Sequence, residues 1–360
     1  MKKLFFLVIL FSCDLWAHSL DQYITISHPT EIHVSDAKEI PEKLHQKIIE
    51  YAISSLPNGK TQDSLGKDGR KGQFDNGTIF FGHGPYQVSD QILVPARVNI
   101  HGVVGVHRPH QGGTRFAVVA GGDLSSEDGD KRYVFRNTKS DGLNYNGSFN
   151  QHWENFGVDC NGFCRGLLVA GAQTSSVKKV GVIDSADVGI FVAGARPLLM
   201  QEVEVTKIRT SSLAASIGIL SNGQRLQIIN CSVGVCDVGF RQNIMGAVTI
   251  LGFVFENVNS VIIEKKSHMG IMMGSGIAVQ GGLNLTSPSG AGQVGDRVIF
   301  RSGASGIVEL SGTIRNNSGP KIWDFGGQRQ VILELTKKGD KGVHFPFLLR
   351  NNSAPGLIEN

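Results

Sequence analysis

Five carboxylates, Asp159, Asp184, Asp187, Glu202 and Glu204, recur over three similar β-type stretches in the middle of this 360-residue chain. If those stretches stack as neighbouring strands about 4.8 Å apart, two carboxylates can reach the separations at which retaining or inverting glycoside hydrolysis runs. A close pair would also raise one pKa, as a general acid requires. Asp159, Asp184, Asp187 and Glu204 are therefore the candidate catalytic residues. A plainer role competes with this one. Asp159, Asp184 and Asn230 each end a β segment at what reads as an equivalent place, where Asx side chains satisfy turn amides. Glu202 and Glu204 should point outward on either side of Val203, where acids are ordinarily just solvated. Lys207, Arg209 and Arg241 lie near turns and could hold the carboxylate of a uronic acid. Trp153, beside His152 and near Tyr145, could stack on a sugar ring or fill a core. No Asp-Asp pair occurs in the chain.

The elements that must position these residues are short and repeated. Taking Val158, Val180, Val203, Ile228 and Ile250 as equivalents gives steps of 22, 23, 25 and 22 residues. A second series, Gly166-Leu167, Gly189-Ile190, Gly218-Ile219 and Gly239-Phe240, steps by 23, 29 and 21. Two interleaved series with one period mean that each repeat contributes at least two strands. A solenoid accounts for this economically: coils stack with strands paired in parallel, and Val180, Val182, Val203, Val205 and Ile228 line a continuous core. The leucine pattern of leucine-rich repeats is missing, and propeller blades are about twice as long. The expected fold is all-β, a single-stranded right-handed parallel β-helix. Upstream, Ile40, Leu44, Ile48, Tyr51, Ala52 and Leu56 recur at three or four, which predicts a helix over about 40–56. Residues 57–77 are polar and rich in Gly and Asp and read as a loop. Strands are expected over about 77–102 and 153–265. Long loops over one face are expected for 104–150, and a less regular β region for 266–360.

The opening resembles the pectate-lyase-like superfamily. The resemblance rests on a helix followed by GTIFFGHGPYQVSDQILVPARVNIHG, with Gly77, Thr78, Gly84, Tyr86, Ile92, Pro95 and Gly102 in the characteristic places. It runs from about residue 38 to 265. It implies the β-helix with an N-terminal capping helix, and a function on polysaccharides, although the superfamily also holds tailspikes and passive adhesins. Its polygalacturonase-like branch uses paired aspartates, a Gly-His-Gly and an Arg-x-Lys on successive coils. Here Gly82-His83-Gly84 lies in the opening turn, far upstream of that branch's position, so His83 is read as a turn residue. Arg196-Pro197 is faintly similar to the arginine base of pectate lyases, without evident calcium-binding acids beside it.

The first residues, Met1-Lys2-Lys3 and an apolar run from Leu4 to Phe11, describe an export signal too short to span a bilayer. Cleavage after Ala17 leaves a domain over 18–360. The alternative is Leu10-Phe11-Ser12-Cys13, a lipoprotein-type box with Cys13 as the lipid anchor. Either way the chain is exported: secreted, periplasmic or on the cell surface, with no membrane span. Glycine stands at 46 residues, nearly twice ordinary usage, spread as turns require. Formal charge is +4, and losing two lysines and one aspartate with the leader leaves +3, too little and too dispersed for nucleic acid. Cys160, Cys164, Cys231 and Cys236 suggest two disulfides in an exported chain. No histidine sits at zinc-ligand spacing, so neither metal nor cofactor is expected. With Cys160 and Cys231 placed three coils apart, roughly 14 Å, a bridge between the pairs is out of reach. The expected bonds are Cys160–Cys164 and Cys231–Cys236. Two functions remain open: a polysaccharide lyase or glycoside hydrolase, and a non-catalytic adhesin or polysaccharide-binding surface protein. The elongated scaffold with loops over one face favours the first. The missing catalytic motif favours the second.

Overall fold

Three runs of parallel β-pairing carry almost the whole architecture. A computed structural model describes residues 20–56, 77–95, 97–103, 112–137, 150–194, 197–209, 216–223 and 225–241, and from 242 onward the backbone of the strands up to residue 359. The expected export signal with Cys13, the 57–76 stretch, Arg196 and Tyr145 lie outside the described residues. The chain is mostly β, and every described strand pairing but one is parallel. The exception joins Ile24–His28 antiparallel to Glu31–Val34.

In the first ladder Ile32, Ile79, Ile100, Trp153, Val177, Met200 and Ile228 pair in succession. In the second, Tyr86, Phe116, Val158, Val182, Val205 and Val233 do the same. The third stacks Ile92, Phe135, Leu167, Ile190, Ile219 and Phe240. None of these side chains is more than 1 % exposed. Alternation explains this: with a side-chain period of two, one face of each strand is apolar and turns inward. Toward the N-terminal end aromatic side chains gather, and Tyr86, Phe116, Phe135 and Phe156 pack there at centroid distances of 4.8 to 5.6 Å.

The Gly-aliphatic series matches the third ladder residue for residue. The other series does not hold. Val180 pairs with Phe156, two positions before Val158, and Ile228 belongs to the first ladder. One continuous segment such as Ser175–Ile183 serves both ladders, with Val177 in the first, Val182 in the second and the equally buried Val180 between them, so a search by residue type slides between them. The bend within it is made by a residue in the left-handed region: Asn155, Lys179, Glu202 and Asn230, with φ of 63°, 50°, 53° and 52°. A second such column, Asp184, Lys207 and Val235, follows the second ladder. Asn230 is therefore not the equivalent of Asp159 and Asp184, and those two differ by one position, since Asp159 pairs with Ile183.

Two further corrections concern the upstream part. The 104–150 segment contains strands rather than only loops: Thr114–Val118 joins the second ladder and Tyr133–Arg136 the third. The expected helix is shorter. Two 3-10 turns, Ala37–Glu39 and Glu42–Leu44, lead into an α-helix over His45–Ser55. It buries Ile48, Ile49, Ala52 and Ile53 and packs on the strands Glu31–Val34 and Tyr86–Val88. His45 fixes it there. Its Nδ1 accepts the Gln87 N–H at 2.9 Å, which leaves Nε2 to donate to the Ala37 and Ile40 carbonyls, both at 3.0 Å. After residue 266, strands Ile277–Ser287, Arg297–Ser302, Val308–Asn316 and Gln330–Leu335 continue the parallel pairing. Among the described residues no helix is long and apolar enough to cross a membrane.

The expected disulfides are not formed: Cys160, Cys164, Cys231 and Cys236 are free and buried. Burial pushes the Cys231 and Cys236 thiols up to about 12, and they donate to different carbonyls, Ile229 O and Val238 O. Burial, then the hydrogen bond with Cys164, raises Cys160 well above the usual thiol range. Since the thiolate is the reactive form, these four cysteines should resist iodoacetamide in the native protein. All four should alkylate on unfolding. Rapid native labelling of any of them, read by peptide mass, would contradict their placement.

Candidate functional site

Three of the predicted acids, Asp159, Asp184 and Asp187, lie between the second and third ladders, and two of them are paired with arginine. The Asp159 carboxylate accepts the Asn161 N–H at 3.2 Å, a turn contact. Asp184 is held in a two-pronged bond by Arg209, whose Nε and Nη2 each lie 2.6 Å from a carboxylate oxygen. That pairing lifts the Arg209 guanidinium above its ordinary value. The guanidinium lies over Gly162, where a Cβ would come within 2.5 Å of Cζ, and Gly162 has φ of +74°. Asp187 is buried and paired with Arg165, whose Cζ sits 5.5 Å from the Tyr133 ring centroid. Burial pushes the Tyr133 hydroxyl up to about 12. The Asp184 and Asp187 carboxylates are thus both taken up by arginine.

The remaining predictions divide. Glu204 faces outward between Gly181 and Ser232, as its alternation requires. Lys207 is exposed on a left-handed backbone position, and Arg241 lies opposite Leu220 in the third ladder. Trp153 is corrected: it is 1 % exposed, packs 6.3 Å from Phe135, and its indole N–H has no hydrogen-bond partner, so it offers no face to a sugar. Its place inside follows from pairing with Ile100 and Val177. His83 is a turn residue. Its N–H and Nδ1 both engage the Asp36 carboxylate, at 2.7 and 3.2 Å.

A different set comes together on the outer face of the first ladder. His33, Phe80, His101, Glu154 and Lys178 stand on five successive strands in one column. The His33 and Phe80 rings stack at 4.8 Å with planes 13° apart, and His101 follows at 5.4 Å from Phe80. His33 is exposed, and Phe80 and His101 are half-buried. Glu154 lies between His101 and Lys178, 3.9 Å from His101 Nδ1 and 3.4 Å from Lys178 Nζ. Asn155 Nδ2 donates to His101 Nε2 at 3.1 Å, which places the imidazole proton on Nδ1, facing Glu154.

A second column runs beside it: Thr78, Asn99, His152 and Ser176. Asn99 accepts the His152 N–H at 2.8 Å, and Ser176 Oγ is 2.8 Å from His152 Nδ1 and 3.4 Å from Glu154 Oε1. Burial lowers the His152 pKa, which favours the neutral imidazole. The rings, stacked on one another, thus continue into a cross-linked set of donors and acceptors along one face. Sequence reasoning missed this set because neighbouring members lie up to 53 positions apart and meet only through register. The usable signal was outward position within strands otherwise chosen for their apolar residues.

No family model and no curated protein matches this chain. It is similar in fold to a viral protein. That solved structure, Geobacillus virus E2 ORF18, superposes with a TM-score of 0.50 at 11 % identity, over 89 % of this chain and 62 % of the viral one. This chain thus spans under two thirds of the viral protein's length, and the likeness extends to fold alone.

Proposed function

We propose that the three ladders wind as a right-handed parallel β-helix of the pectate-lyase-like kind, and that this exported protein binds a polysaccharide along the outer face of the first ladder. The observation that carries the reading is the column His33–Phe80–His101 running directly into Glu154 and Lys178. The ring edges and imidazole nitrogens of the column can meet sugar C–H groups and hydroxyls, and the Glu154–Lys178 pair offers charge-assisted bonds to hydroxyls. From Ile79 onward the chain visits the three ladders in the same order at every pass, which supports the solenoid, because such pairing needs the chain to return to the same place once per repeat. Binding is favoured over cleavage because Asp184 and Asp187 are engaged by Arg209 and Arg165.

Affinity electrophoresis of the purified protein through gels containing a panel of polysaccharides tests this. At least one polymer should retard the wild type, and Phe80→Ala should lose at least tenfold in affinity while its melting temperature moves little. Retardation that Phe80→Ala leaves untouched would place binding elsewhere. Release of reducing or unsaturated ends by the wild type would restore the cleaving enzyme, with Glu204 as the first acid to test.

A further inference from the structure

We infer that the strand Ile24–His28 is a docking edge for a second copy of this chain, the two strands pairing antiparallel about a two-fold axis at Thr25. The strand ends the first ladder. It pairs with Glu31–Val34 on one side, and among the described residues no strand pairs with its other side. Register decides which main-chain groups face that open side. The Ser35 N–H donates to the Tyr23 carbonyl at 2.9 Å, and Ile24, Thr25 and Ile26 lie opposite Val34, His33 and Ile32. Hydrogen-bonded and open pairs alternate in an antiparallel ladder. Tyr23 and Thr25 therefore turn their polar main-chain groups toward Glu31–Val34, and Ile24 and Ile26 turn theirs away.

Three features fit this edge to its own copy. The first is hydrogen bonding. A mate centred on Thr25 sets Ile24 of one chain opposite Ile26 of the other, so the outward amides and carbonyls of both strands meet in register. The second is the side chains. Ile26 shares a sheet face with the fully buried Ile32, yet is itself 59 % exposed. It is the last rung of the inward apolar column. In the pair it lies beside Ile24 of the second copy, a residue that packs on the core, and both columns close. The third is charge. The strand carries neither the lysine nor the proline with which exposed edges commonly repel neighbours, and its register shift comes only after Ile26. Asp21 precedes the strand and His28 ends it. An antiparallel mate brings the acid of each chain toward the imidazole of the other, whereas a parallel mate puts like ends together. Thr25 stands beside His33 on the outer face, so the pairing also joins the two outer columns end to end.

Sedimentation equilibrium and cysteine cross-linking test this on the full chain. The purified protein should pass from monomer to dimer between about 1 and 100 μM, as an interface this small allows. Ile26→Lys should weaken association at least tenfold at unchanged melting temperature, because the side chain it replaces is exposed. Thr25 meets Thr25 of the second copy in an open pair, with Cα atoms about 4.5 Å apart, within disulfide reach. Thr25→Cys should therefore give a covalent dimer under mild oxidation. Ser27→Cys should not, since Ser27 lies opposite Tyr23 in this register and its two copies stand roughly 14 Å apart. A monomer throughout, a dimer that Ile26→Lys leaves unchanged, or equal cross-linking through Ser27→Cys overturns the inference.

Discussion

Gln151→Leu should lower the free energy of unfolding by about 3 kcal/mol, since each buried polar group left without a partner costs roughly 1–3 kcal/mol. Gln151 is 3 % exposed and lies where the chain passes from the third ladder into the first. Its Nε2 donates to the Pro95 and Val98 carbonyls at 3.0 and 3.1 Å. Its Oε1 accepts from Asn137 Nδ2 at 3.0 Å. Asn137 in turn bonds both polar groups of Ala170, donating to the carbonyl at 2.9 Å and accepting the N–H at 2.7 Å. Leucine fills similar space but takes one partner each from the Pro95 and Val98 carbonyls and the Asn137 amide in a region closed to water. Such networks stand or fall together, so Asn137→Leu should cost a comparable amount, and the double variant less than the two added. Urea unfolding midpoints give the answer. A loss under about 1 kcal/mol would mean that water replaces the glutamine, and that this corner is wetter than its burial indicates.

The other large effect concerns Trp153, where stability and binding separate two roles. Removing a buried tryptophan side chain costs about 3–5 kcal/mol, partly for transfer and partly for the void it leaves. Trp153→Ala should fall in that range, because the indole packs among Ile100, Val177 and Phe135. Trp153→Phe should cost clearly less. It keeps most of the apolar volume and removes an indole N–H that has no acceptor. Neither change should alter glycan affinity once corrected for the folded fraction. If Trp153→Phe instead weakened binding at unchanged melting temperature, the side chain would be reaching ligand and its place in the first ladder would be wrong.

How far such a structure can be read from residues alone depends on the element. The third ladder was legible because its strands follow a glycine and a turn, which gives each one a visible start. The first and second ladders share continuous segments, so Ile228 could pass for a partner of Val203 although it pairs with Met200. The strands Thr114–Val118 and Tyr133–Arg136 went unseen for another reason. Each offers only two or three inward residues, too few for a periodic signal. The acids were legible as acids, but not the arginines that answer them. Asp184 and Arg209 are 25 positions apart, and Asp187 and Arg165 are 22, separations that register alone turns into contact. The aromatic column was hidden in the same way. Phe80 and His101 stand one repeat apart, but Glu154 follows His101 by 53 residues.

The left-handed residues at the bend, Asn155, Lys179, Glu202 and Asn230, divide the chain into parts that can and cannot change length. Losing one residue on either side of the bend would turn every following side chain of that strand from inside to outside. Those spans should stay constant in number across diverged copies of this protein. Elsewhere length is free. Ile183 and Val188 are five positions apart, whereas their ladder partners Thr206 and Ile217 are eleven apart, and both pairings keep register. Such places between ladders accept insertions without disturbing the core. New surface can be added there while the His33–Phe80–His101 column stays where it is.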